Sequence, residues 1–192
     1  MRQLGYYVAK CRAMALLVFG RDAAALSVFT AMLARWPQDV YALGSRAHLH
    51  VQAGRLEAAL ADSQQLVAMP GAQAATWFNH GFILEADGRW DDAMAAFRRA
   101  TELGPELDRA WYGLGMVLIR LQRYEEAIAA LKRNTELQPM SPYGWYQLAR
   151  VHVDRREPEE AAKIIRHLKG FEPKVAAQLE RETGVLAKGV PG

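Results

Sequence analysis

Cysteine is almost absent from this chain. Cys11 is the only one in 192 residues, which excludes an internal disulfide framework and any CxxC redox or zinc motif. A lone thiol fits a reducing compartment, and the cytoplasm is the expected location. Long apolar runs are missing too. Ala13 to Phe19 is bracketed by Arg12 and Arg21 and is too short to span a bilayer. Gly20-Arg21-Asp22 after it makes a poor signal-cleavage site, so the segment reads as the first helix of the fold rather than as a targeting sequence. The positive residues form no run of five or more. A net charge of +3 and a pI near 9.1 therefore permit nucleic acid or an acidic partner without implying either. There is no glycine-rich phosphate loop and no GxSxG or HExxH motif.

What is present is periodic. Half of the residues are hydrophobic and under a quarter are charged, a globular composition, and alanine, leucine, arginine and glutamate point to helices. WFNHGFILEADGRWDDAMAAFRRATELGP, from Trp77 to Pro105, is matched 34 residues later by WYGLGMVLIRLQRYEEAIAALKRNTELQP, from Trp111 to Pro139. Trp77 lies over Trp111, Gly81 over Gly115, Ala93 over Ala127, Phe97 over Leu131 and Pro105 over Pro139. The frame extends downstream through Trp145, Ala149, Ala161, Ile165 and Pro173. Upstream it runs through Ala47, Ala59 and Pro70-Gly71, and then through Ala13, Gly20, Ala25, Phe29 and Pro37. Five repeats result, at 6–39, 40–73, 74–107, 108–141 and 142–175. Each divides at Gly20, Gly54, Gly88, Gln122 or Arg156 into two amphipathic segments. Small residues at Ala47, Gly81, Gly115 and Ala149, and at Ala25, Ala59, Ala93, Ala127 and Ala161, fall where two helices must touch. Trp77, Trp111, Trp145, Phe29 and Phe97 are expected to fill the space between repeats. Prolines 37, 105, 139 and 173 end the second helices, because proline lacks the N–H that a continuing helix needs.

The pattern resembles the tetratricopeptide repeat family, whose motif W-x2-L-G-x2-Y is approximated by WYGLGMVL at 111–118 and WYQLARVH at 145–152. Leu118 and His152 stand where a tyrosine is usual. The resemblance covers about nine tenths of the chain. It implies an all-α solenoid of helix-turn-helix repeats in a right-handed superhelix, with a capping helix at about 174–185 ending near Gly184. The expected organisation is a single domain over 1–187 with a frayed tail at 188–192. The resemblance also implies that first helices line a concave groove. Its candidate partner-binding residues are Tyr7, Lys10 and Met14 in the first repeat, with Cys11 beside them, and Tyr41 and His48, with Ser45, in the second. Phe78, Asn79 and Phe82 follow in the third, then Arg109, Tyr112, Met116 and Arg120 in the fourth. The fifth adds Tyr143, Tyr146, Gln147 and Arg150.

Aromatic, methionine and arginine side chains are the types enriched at protein interfaces, and exposed apolar patches mark interaction sites; the competing reading is that they pack on one another. Some family members grip a terminal carboxylate with a lysine–asparagine clamp. The matching places here hold Gly44, His48, Asn79, Arg109 and Gly113, and only Asn79 fits, with Arg109 as a charge-conserving substitute. His48 and His50 point to different faces of a helix, and the other histidines lie in different repeats, so no metal site or cofactor is expected. Asp91-Asp92, Glu125-Glu126 and Glu159-Glu160 recur in register at second-helix starts, where negative charge meets the helix dipole, so their role is structural. The basic excess is too small, and the consensus too different, for an RNA-reading repeat.

The sequence thus points to a non-catalytic scaffold that binds an extended or helical protein segment, with acidic character permitted and self-association open through Leu4 and Tyr6. The alternatives are a dedicated assembly or secretion chaperone for one client, and a docking subunit of an enzyme complex. A scaffold holds two proteins at once, a chaperone keeps one client soluble, and a docking subunit changes a partner's rate. On this reading, Tyr112→Ala with Phe82→Ala abolishes partner capture in a pull-down and leaves helicity and melting unchanged.

Overall fold

The structure, a computed structural model, describes residues 2–186. Among them are eleven α-helices and no strand: α1 (Arg2–Val18), α2 (Asp22–Arg35), α3 (Val40–Gln52), α4 (Leu56–Val67), α5 (Ala74–Ala86), α6 (Trp90–Leu103), α7 (Asp108–Arg120), α8 (Tyr124–Leu137), α9 (Pro142–Asp154), α10 (Pro158–Lys169) and α11 (Pro173–Thr183). The tail read as frayed lies outside the described residues.

Two backbone devices recur. The dividing residues of the five repeats all have positive φ: Gly20 64°, Gly54 70°, Gly88 76°, Gln122 58° and Arg156 61°. Glycine enters that left-handed region without a Cβ penalty, whereas Gln122 and Arg156 carry one. The residue that follows caps the next helix without a side-chain bond to its amides. At Arg89 and Arg123 the side chain instead reaches the acid three residues on, Asp92 and Glu126, each at 2.6 Å. Trp36, Gly104 and Gln138 at second-helix ends, and Glu172, which caps the start of α11 three residues beyond the end of α10, hold φ between −131° and −142°, so Pro173 opens α11 and does not end α10. Each precedes a proline, whose ring pushes its neighbour out of the helical region. The second repeat ends differently: Gly71 stands in the proline's place with φ 78°.

The chain forms two compact units, one extending to Gly88 and one beginning at Arg89. Within the first, α1 to α5 pack in chain order. Ala13, Ala25, Phe29, Met32, Ala42 and Leu43 make its main core, with Ala47, Ala59 and Ile83 in a smaller cluster. Within the second, α6 to α11 do the same, and α11 also lies against α9. Its core joins Leu131, Leu148, Val151, Ile165 and Leu168 to Ala176 and Leu179 of α11, which thereby covers the apolar face left by α9 and α10. The alanines Ala25, Ala59, Ala93, Ala127 and Ala161 are all fully buried. A Cβ on Gly115 would stand 2.7 Å from Leu131 Cγ, so α7 touches α8 there with no room to spare.

The tryptophans behave differently from the sequence expectation. Phe29 and Phe97 are fully buried, but Trp77, Trp111 and Trp145 are only half-buried. The indole N–H needs a partner. Trp111 Nε1 donates to the Pro105 carbonyl and Trp145 Nε1 to the Pro139 carbonyl, each at 2.9 Å. These two rings thus pin the preceding turn, and Trp145 also packs against the core of its unit.

His50 departs from the leucines Leu16, Leu84 and Leu118 that hold its place in three other repeats. Its Nδ1 is buried and has no hydrogen-bond partner. Burial, with help from Arg55 and Arg46, lowers its pKa. A histidine held neutral contributes stability that is present above its unfolded pKa and lost as pH falls through the folded value. In acid-side melting series, His50→Leu is therefore expected to flatten the loss of stability below about pH 6.5. Gln122→Gly and Arg156→Gly are each expected to raise stability by roughly 0.5–1 kcal/mol in urea denaturation, since they remove a left-handed Cβ penalty at exposed positions.

Candidate protein-binding face

A hairpin buries the side of its first helix that faces the second, and the 3.6-residue period then leaves positions 2, 5 and 9 of each repeat on the other side. None of the candidate side chains is fully buried. Tyr7, Met14, His48, Asn79, Phe82, Arg109, Arg120, Tyr143 and Arg150 are exposed; Lys10, Tyr41, Phe78, Tyr112, Met116, Tyr146 and Gln147 are half-buried. Cys11 is an exposed free thiol, and Ser45 is half-buried.

In the first unit, the Lys10 ammonium sits 4.4 Å from the centroid of the Tyr41 ring and 6.0 Å from that of Tyr6, a cation–π arrangement across α1 and α3. Tyr7 packs edge-on to Tyr6 at 5.4 Å. Burial and a hydrogen bond to Asp39 push the Tyr6 hydroxyl pKa up. His48, Asn79 and Phe82 come together elsewhere, around a cleft of about 230 Å³ between α3 and α5 with α4 beneath. Gly44, Ala47, Ser63, Leu66 and Ile83 line it. Beside it Arg46 makes a two-pronged ion pair with Asp62, at 2.6 and 2.8 Å. Asp62 is buried, and its hydrogen bond raises the pKa of the Arg46 guanidinium.

In the second unit, the Arg120 guanidinium lies 5.0 Å from the Trp90 ring and that of Arg150 lies 5.9 Å from the Tyr146 ring. The Tyr146 hydroxyl donates to the Glu182 carboxylate of α11. This bond raises the tyrosine's pKa and lowers the carboxylate's. Tyr112 and Tyr146 also pack against the buried core of this unit. The sequence expectation that Tyr112→Ala leaves melting unchanged therefore does not hold, because part of that ring supports the fold. Tyr143, 71% exposed, carries no such duty.

Sequence reasoning passed over Ser63, the Arg46–Asp62 pair and the role of Gly44 as cleft lining. Comparing each column of the 34-residue frame, instead of only its recurring residues, reveals all three. Outside this face, α1 leaves Leu4, Val8 and Val18 exposed, as is Phe19 just beyond it. No cluster of three potential metal ligands exists among the described residues, and none of their helices is long and apolar enough to cross a membrane.

The fold is shared with solved structures. A MamA structure aligns with a TM-score of 0.79 over 97% of both chains at 17% identity. MamA from Desulfovibrio magneticus RS-1 gives 0.78 at 18% identity, over 92% of this chain and 95% of the other. YrrB, described as a TPR protein with an unusual peptide-binding site, gives 0.77 at 17% identity over 88% of each. No curated protein sequence matches significantly. The tetratricopeptide repeat model matches residues 12–76 and 78–142, more than half of the sequence, and with the helix pairs and their recurring turns it shows that the chain belongs to the tetratricopeptide repeat family.

Proposed function

We propose that the chain is a non-catalytic interaction module that holds an extended or helical protein segment of acidic character on its first-helix faces. The observation that carries this reading is a segregation of charge. The helices α1, α3, α5, α7 and α9 hold seven Lys and Arg against three Asp and Glu. The helices α2, α4, α6, α8 and α10 hold eight against eleven. Carboxylates are thus concentrated on the helices behind the candidate face, and α1 and α3 contain none. The sixteen candidate side chains, all at least partly accessible, add aromatic and methionine surface to this positive balance. Aromatic anchors supply contact area, and arginines supply charge-assisted bonds to carboxylates. The peptide-binding description of YrrB, a protein of the same fold, agrees with such a role.

The test uses the full chain as bait in its native source, with captured proteins quantified by mass spectrometry. Tyr143→Ala with Arg150→Ala is expected to reduce the main specific partner by about tenfold or more, without lowering the melting temperature by more than a few degrees. Raising salt to about 0.5 M should weaken capture by the unaltered chain, as screening requires for an acidic partner. Capture that neither change affects would place the interaction elsewhere on the molecule.

A further inference from the structure

The 34-residue frame allows each position to be compared with its four counterparts, and the second repeat lacks two large side chains that the others carry. Gly44 stands where the other repeats have Lys10, Phe78, Tyr112 and Tyr146. Ser63 stands where they have Phe29, Phe97, Leu131 and Ile165, each at most 1% exposed. Both truncated residues line the cleft between α3 and α5. Its volume of about 230 Å³ exceeds that of an engineered apolar cavity of roughly 150 Å³ that admits benzene.

Gly44 has no other explanation in the fold. A Cβ at Gly113 would lie 2.8 Å from the Phe97 ring, and one at Gly144 would lie 2.2 Å from Asn134 Oδ1. Those glycines are required by close packing. At Gly44 the nearest atom is Leu66 Cδ1 at 4.0 Å, an ordinary contact, and its φ is not positive. A helical glycine that neither packing nor φ demands costs helix stability, and here it keeps the cleft open. The polar atoms of the floor are already partnered: Ser63 Oγ donates to the Leu60 carbonyl and shares a 2.9 Å bond with Nδ1 of buried His80. The rest of the lining is hydrocarbon from Val40, Ala47, Val51, Leu66 and Ile83 and the ring of Phe82, with polar groups from His48, Thr76 and the exposed amide of Asn79. Of the whole helices of this unit, α1 and α3 hold Lys10, Arg12 and Arg46 and no carboxylate, with Arg46 paired to Asp62 of α4, while α5 holds only Glu85.

We propose that this cleft is a socket for one bulky apolar side chain, of phenylalanine or leucine size, carried by an acidic protein segment whose main chain bonds Asn79. The proposal rests on the interaction role above and adds to it a location and a residue class. Shape selects the anchor, and the charge balance of α1 and α3 selects its acidic neighbours.

The probe is a labelled seven-residue peptide with one phenylalanine between two runs of three glutamates, titrated against the full chain by fluorescence anisotropy. Gly44→Phe places in the second repeat the residue that the third carries at this position, and plugs the socket. Gly44→Ala adds one methyl and leaves the socket open. The expected result is saturable binding by the unaltered chain and by Gly44→Ala. Gly44→Phe weakens it about tenfold or more, as do alanine for the peptide's phenylalanine and lysines for its glutamates. Methyl NMR of the unaltered chain provides a readout that needs no variant: Val51, Leu66 and Ile83 shift on peptide addition. Absence of saturable binding, equal binding to Gly44→Phe or by the alanine peptide, or methyl shifts confined to other residues overturns the socket. In the native-source capture, loss with Tyr143→Ala and Arg150→Ala but not with Gly44→Phe overturns the socket alone. Undiminished capture by both variants overturns the interaction face as well.

Discussion

A methyl group at one position of each second helix sets the closeness that the rest of the structure depends on. Ala25, Ala59, Ala93, Ala127 and Ala161 have no exposed surface, and Leu131 of α8 already touches the backbone of α7 at Gly115. Larger side chains at such places would force the helices apart at a cost of about 1–3 kcal/mol each. A helix pair packed this tightly presents a broad apolar flank that it cannot bury alone, so each hairpin needs a neighbour. At the end of the second unit, α11 meets that need with Ala176 and Leu179.

The same constraint decides which residues are left for binding. Once one side of a first helix is committed to its partner helix, the helical period fixes the opposite side. The family resemblance put Tyr7, Phe82, Tyr143 and Arg150 on the groove side, and the helical period accounts for their being accessible. The turns were legible for a similar reason, since the left-handed residues occupy the dividing place of all five repeats whether or not the residue is glycine. Periodicity marks which side chains are committed to the core. It does not say what an uncommitted side chain finds. Tyr146 reaches Glu182, 36 residues away in sequence, and Lys10 settles on Tyr41. The indoles of Trp111 and Trp145 find proline carbonyls. Each outcome depends on side-chain reach and on polar groups seeking partners, and neither leaves a periodic trace.

The second repeat shows what happens when the frame is kept and its contents change. Arg46 and Asp62 occupy the places of Leu114 and Ala130, or of Leu148 and Ile164, in later repeats. Ser63 and His80, both buried, add a second polar pair from α4 to α5. A buried ion pair rarely stabilises more than the hydrocarbon it replaces, so these residues do not strengthen the hairpin over its neighbours. Their effect is geometric. The two-pronged contact of Arg46 with Asp62 fixes α3 on α4 in direction as well as distance. The Ser63–His80 bond fixes α4 against α5. Hydrocarbon contacts tolerate small slides, whereas buried hydrogen-bonded pairs lose much of their energy when displaced. The three helices that bound the cleft are therefore the ones tied by directional bonds, and the space left by Gly44 and Ser63 is held open by a frame that resists collapsing into it. A cavity kept at constant shape exacts little reorganisation from whatever enters it. In this repeat, departure from the apolar pattern converts part of the hairpin's packing into a preformed recess.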